Sequence, residues 1–194
     1  MRTDTIPLVP QAIGQRVNQL EQILDLIESQ TTMVLSTVDP DGRPHSTPLF
    51  FVSDKSMNLF WFSSPRCAHS KHCAQRPIIS ASIFHPTRDW RKIRGVQMQG
   101  LASEVQDAGL QEEMRDFHTS RFRLGPIPKL ALRKSVLYCL SPTWIRFIDN
   151  TRRFGYKFEL TFEPAPLKGQ TNGCGALQIP AQPAQLDIDS RFDP

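Results

Sequence analysis

The feature that most constrains this chain is a run of short β-rich segments joined by tight turns. Thr32–Val38 (TMVLSTV) stops at Asp39-Pro40-Asp41-Gly42 and resumes as His45–Val52. Proline presets φ in such a turn, and Asp-Gly supplies the positive φ that a hairpin requires. Ser53–Ser56 turns the chain again and Met57–Phe62 (MNLFWF) follows, so two hairpins in succession predict a meander. Ser64-Pro65 breaks it, Ala68–Gln75 fits a short helix, and Pro77 stops that helix. Ile78–Phe84 (IISASIF) and Val96–Val105 (VQMQGLASEV) read as the fourth and fifth strands around a polar loop, His85–Lys92. Val136–Leu140 and Thr143–Ile148 read as one final strand, interrupted at Ser141-Pro142.

Helical periodicity is confined to the margins. Over Gln11–Gln30 the residues Ile13, Val17, Leu20, Ile23, Leu24 and Ile27 recur as one apolar stripe. Gly109–Arg121 places Leu110, Met114 and Phe117 on a second, and Gly125-Pro126-Ile127-Pro128 reads as a connector. A sheet built by hairpins cannot be made of βαβ units. The expected fold is mainly β (α+β): a six-stranded antiparallel barrel or Greek key with peripheral helices. Residues 1–10 read as a loose arm, 11–163 as one domain, and 164–194, rich in Pro and Gln, as an extended or disordered tail.

Composition narrows the functional classes. The net charge of +4 permits an anionic ligand but is too small to argue for nucleic acid. No stretch is long and apolar enough to span a bilayer, and the first ten residues carry no secretory pattern, so a cytoplasmic protein is expected. Cys67, Cys73, Cys139 and Cys174 make no CxxC pair and read as reduced thiols. Cys67, His69, His72 and Cys73 suggest a zinc set, yet C-x-H-x-x-H-C is compressed and a helix would spread these side chains around its axis, so no metal site is assigned. Neither G-x-S-x-G nor a glycine-rich phosphate loop is present, which sets hydrolase and nucleoside-triphosphatase readings aside.

From Thr32 onward the order of these segments carries a resemblance. "VLSTVDPDGRPHSTPLFF", "LFWFSS", a basic segment before Pro77, "RGVQMQGLASEV" and the closing "WIRFIDNTRRFGYKFEL" together resemble the pyridoxamine-phosphate-oxidase-like, FMN-binding split β-barrel superfamily. The resemblance implies an isoalloxazine ring lying along His45, Ser46, Thr47, Pro48 and Leu49, where small side chains let a planar ring approach the backbone. It places Ser63 and Ser64 near the ribityl phosphate, the basic segment Arg66–Lys71 as phosphate cations, and Arg94 on a strand facing the ring. It also implies a homodimer, with Trp144 and Arg146 reaching the flavin from the second subunit.

There are departures. Counting back from Pro77, the family's phosphate lysine aligns with His69, and Lys71 follows two residues later. Either an adjustment brings Lys71 into play, or Arg66 and the serines hold the phosphate. The C-terminal Arg-and-Trp signature of the vitamin B6 oxidases is not recognisable, so that substrate is not expected. The leading expectation is an FMN-dependent oxidoreductase acting on a small molecule, with no residue marked as catalytic acid or base. The alternatives are a haem-binding protein, with His45, His69, His72 or His85 as axial ligand, and a relative that is cofactor-free or holds the deazaflavin F420.

Overall fold

In the computed structural model, residues 10–123 and 125–163 are described, so the N-terminal arm and the Pro/Gln-rich tail lie outside the described residues. The elements in chain order are α1 (Pro10–Ser29), β1 (Thr32–Val38), β2 (Pro44–Phe50), β3 (Val52–Ser53), β4 (Leu59–Ser63), α2 (Ala68–Gln75) and β5 (Ile78–Phe84). There follow a 3₁₀ turn (Trp90–Lys92), β6 (Arg94–Glu104), α3 (Ala108–Arg121), α4 (Pro126–Arg133), β7 (Val136–Asp149) and β8 (Lys157–Thr161).

The β1–β2 hairpin forms where the turn chemistry puts it. Gly42 takes φ +86°, its N–H reaches the Asp39 carbonyl at 3.0 Å, and the strands pair from Val38↔Pro44 to Thr32↔Phe50. The meander does not follow. The sheet order is β2-β1-β5-β6-β7-β4-β3, with β8 pairing β7, so the second hairpin joins the far edge. The expected strand His45–Val52 breaks at Phe51, which lies 1% exposed in the core. One residue therefore separates the two ends of the strand path, and the sheet must curl until those ends meet. The result is an antiparallel split barrel of eight strands rather than six, open where β2 approaches β4 without pairing to it.

Period-two alternation gives the barrel its inside and outside. The row Leu35↔Ala81↔Met98↔Ile145↔Leu160 crosses five strands and is buried throughout. One residue along, Val34↔Ser82↔Gln97↔Arg146↔Glu159 faces outward and is mostly polar. Helix α1 adds Ile23, Leu26 and Ile27 to the core, each worth about 1.5–3 kcal/mol of burial. Val17, expected in that stripe, is 49% exposed, and Leu26 takes the buried position instead.

Two further differences have local causes. Ser141-Pro142 does not interrupt β7, because the register slips between Gln99 and Gly100 and Pro142 sits opposite Gly100 in a bulge. Gly100 is required there, since a Cβ would lie 2.1 Å from the Ser141 carbonyl oxygen. The Pro126–Pro128 connector is the first turn of α4, where proline's missing N–H costs nothing.

Candidate functional site

The opening of the barrel runs along β2, which has a hydrogen-bonded neighbour on one side only. Pro48 sits mid-strand, as an edge strand allows. His45, Ser46, Pro48 and Phe50 are exposed, while Thr47 and Leu49 are half-buried. Ser46 approaches Ser36 of β1, Oγ to Oγ, at 3.4 Å. These side chains leave the strand accessible from its unpaired side.

At the start of β2, the β1–β2 turn and α2 build a polar cluster. The His45 Nε2 lies 3.2 Å from the Asp39 carboxylate. Its ring packs on His72 with centroids 4.9 Å apart. His72 in turn shares a buried 3.0 Å hydrogen bond, through Nδ1, with the Thr37 hydroxyl. The Arg43 N–H donates to Asp39 at 2.8 Å and, with the His45 bond, outweighs burial and holds the carboxyl below its usual range.

One turn earlier on α2 the expected phosphate residues behave differently from one another. Ser63 Oγ and His69 Nε2 are 2.7 Å apart, and both residues are buried. Burial, and then the charge of His72, push His69 below the ordinary imidazole value, and its ring is held by Ser63 within the fold. Ser64 caps the following turn, accepting from the Arg66 N–H at 3.2 Å. Arg66 and Lys71 are exposed, and neither side chain has an ion pair or hydrogen bond among the described residues. Lys71 borders a cavity of about 210 Å³ with Ser70, Cys73, Glu104 and Tyr138.

The remaining candidates are committed to acids: Arg94 at the start of β6 opposite buried Asp149, and Trp144 and Arg146 on the outward face. Arg94 Nε donates to Asp149 at 3.1 Å; that carboxylate is buried and also accepts from Thr151. Arg146 Nε and Trp144 Nε1 both donate to Glu159, at 2.8 and 3.0 Å, with the guanidinium over the indole. Burial opposes ionisation of Glu159, but these two bonds and the Arg146 and Lys157 charges hold its carboxyl below the usual value. The structure thus brings His45–Leu49 together as one open strand and Ser64, Arg66 and Lys71 together around the start of α2. Ser63, His69 and Arg94 are hydrogen-bonded within the fold.

Of the histidines proposed as haem ligands, His69 and His72 are buried and hydrogen-bonded within the fold. His85 is an exposed loop residue, and His45 alone among the four is both accessible and paired with a carboxylate. His118, on α3, is buried between Phe62 and Phe122 with both ring nitrogens unpartnered among the described residues. Its burial pushes the pKa down to about 4. Sequence reasoning takes Asp39 only as a turn residue and does not place Thr37 or Glu159 in any site. Asp39 stands six residues before His45 across a two-residue-period hairpin, which is the one signal that could have paired them.

A family model described as Pyridoxamine 5'-phosphate oxidase matches residues 20–149. A pyridoxine/pyridoxamine 5'-phosphate oxidase of Pseudomonas fluorescens is 32% identical over 73 residues, 38% of this chain and 32% of that protein. The chain therefore spans about a third of the length of the curated relatives it matches. Among solved structures, the haem-binding protein from Mycobacterium smegmatis superimposes with a TM-score of 0.61 at 16% identity, covering 73% of this chain and 57% of that one. HutZ, the haem storage protein from Vibrio cholerae, gives 0.53 at 23% identity, covering 63% and 88%. At these identities the structural likeness concerns the fold. Among the described residues, no helix is long and apolar enough to cross a membrane.

Proposed function

Because this chain belongs to the pyridoxamine 5'-phosphate oxidase family, we propose that it is an FMN-dependent oxidoreductase acting on a small molecule. The observation that carries the reading is the accessible β2 edge, with Arg66 and Lys71 unpaired around the start of α2. A planar ring fits against the main chain of Ser46-Thr47-Pro48, whose side chains are small. The phosphate does not fit at Ser63 and His69, which are closed on each other; it fits at Arg66, Lys71 and Ser64. When bound, FMN supplies hydride and electron transfer at its ring, and the protein orients it and excludes water.

We further read the protein as a cytoplasmic homodimer. The free thiols Cys67, Cys73 and Cys139 accord with a reducing compartment. The outward face bearing Gln97, Gln99, Trp144 and Arg146 is polar and aromatic, as a surface that meets a second copy would be. The test is the absorption spectrum of the freshly purified protein and of its heat-released supernatant. Two flavin bands, with FMN identified by mass, support the reading; a colourless protein that takes up no added FMN overturns it.

One observation favours haem as the second reading. His45 is an accessible imidazole oriented by a carboxylate, the arrangement that tunes iron-ligating histidines. It predicts a Soret band on haem addition that His45→Ala abolishes.

A further inference from the structure

We infer that His45 is the proton-transfer residue of this site and that Asp39 positions it; the inference rests on the flavin reading above. Two contacts fix the imidazole, and a third bond fixes one of its partners. Its Nε2 is held at 3.2 Å by Asp39 Oδ2, its ring lies on His72, and His72 is itself locked by the buried bond to Thr37. Asp39 is fixed independently of His45: its N–H donates to the Arg43 carbonyl at 3.0 Å, and its Oδ1 accepts the Arg43 N–H at 2.8 Å.

The chemistry follows from what a carboxylate can do. An ionised carboxylate only accepts, so Nε2 carries its hydrogen whether the ring is neutral or cationic. The proton that comes and goes is then the one on Nδ1. That atom makes no hydrogen bond among the described residues, and the side chain is 45% exposed. A histidine free on the surface would exchange tautomers and rotamers. This one presents a single basic atom in one orientation, and Asp39 stabilises the imidazolium that forms.

His45 stands on β2, the strand the flavin reading gives to the ring, so Nδ1 serves a ligand lying on that strand. The fitting substrate is a small molecule with a dissociable N–H or O–H. In the step the N–H or O–H bond breaks, its electron pair stays on the substrate heteroatom, and the proton forms the Nδ1–H bond. Release of that proton to water restores the base. The charged and titratable groups in contact with His45 are Asp39 and His72; Arg43 pairs with Asp39 and Asp41 in the same turn, and Arg76, just past α2, donates to the Pro40 carbonyl.

The test uses the full chain with ¹⁵N-labelled histidine, without and then with FMN. In the free protein, neutral His45 is expected as the Nε2–H tautomer, and Asp39→Asn is expected to mix the tautomers. In the FMN-loaded protein, the flavin potential plotted against pH is expected to show a change of slope that His45→Gln removes. A residue with a merely structural role would not move the potential in this way. An Nδ1–H tautomer, or a slope untouched by His45→Gln, overturns the assignment of His45 while leaving the flavin reading standing. Failure of FMN to bind overturns the flavin reading itself, and the inference with it.

Discussion

The Ser63 hydroxyl and His69 Nε2 lie 2.7 Å apart, and both residues are more than nine-tenths buried. At this position the resemblance expects a lysine reaching for a phosphate. Here the side chain turns inward, and its partner is the serine that would have been the second phosphate ligand. That pair is closed within the fold, so under the flavin reading the positive charge for the phosphate falls to Arg66 and Lys71.

His69→Ala is therefore expected to act on stability rather than on ligand affinity. It leaves the Ser63 hydroxyl unpaired and opens a small void, a cost of about 2 kcal/mol. Urea unfolding should show the loss, and a flavin titration of the folded variant should show little change.

Gly100→Ala is expected to destabilise the barrel by about 1–3 kcal/mol, because the added Cβ would lie 2.1 Å from the Ser141 carbonyl oxygen and the β6–β7 bulge must move. The denaturation midpoint checks this directly. An unchanged midpoint would mean that the bulge relaxes freely.

Arg94→Ala removes the ion-pair partner of a buried carboxylate. Asp149 keeps its Thr151 bonds and the Arg152 guanidinium at 3.9 Å but loses its nearer ion-pair partner. After allowance for solvent around the half-exposed guanidinium, the cost is about 1–2 kcal/mol. A loss seen in unfolding, with flavin affinity preserved, would separate this role from the ring contact that the resemblance implied.

Stability should also fall with acid in a defined window. Burial holds His118 at about 4, below its ordinary value of 6.5, and depresses His69 as well. Between those values the unfolded chain binds more protons than the folded one, so stability is complete above about pH 6.5 and declines as the pH falls toward 4. Urea midpoints measured at several pH values should trace this decline, and His118→Leu should flatten it.

Much of the fold is legible in the sequence because local chemistry dictates it. Asp39-Pro40-Asp41-Gly42 sets the first hairpin, and the limits of β1, α2 and β5 follow from turn residues and Pro77. The break at Phe51 is not legible, since an apolar residue in an apolar run gives no sign that the chain crosses to the other sheet edge. The bulge at Gly100 is hidden for a related reason: it answers Pro142, some forty residues away. By contrast, the segment that contains β8 has an alternation of Tyr156, Phe158, Leu160 and Phe162. In the site, the strand His45–Leu49 and the cations Arg66 and Lys71 are legible. The acids that claim Arg94 and Arg146 are not, because those pairings exist only in the folded sheet.

The most direct test of the account is a calorimetric comparison of FMN with riboflavin, which lacks the phosphate, on the wild type and on an Arg66→Ala/Lys71→Ala double variant. The account predicts that the wild type prefers FMN at least tenfold, about 1.4 kcal/mol, and that the double variant loses the preference. Equal binding of the two flavins by the wild type, or a preference that survives in the double variant, would contradict it.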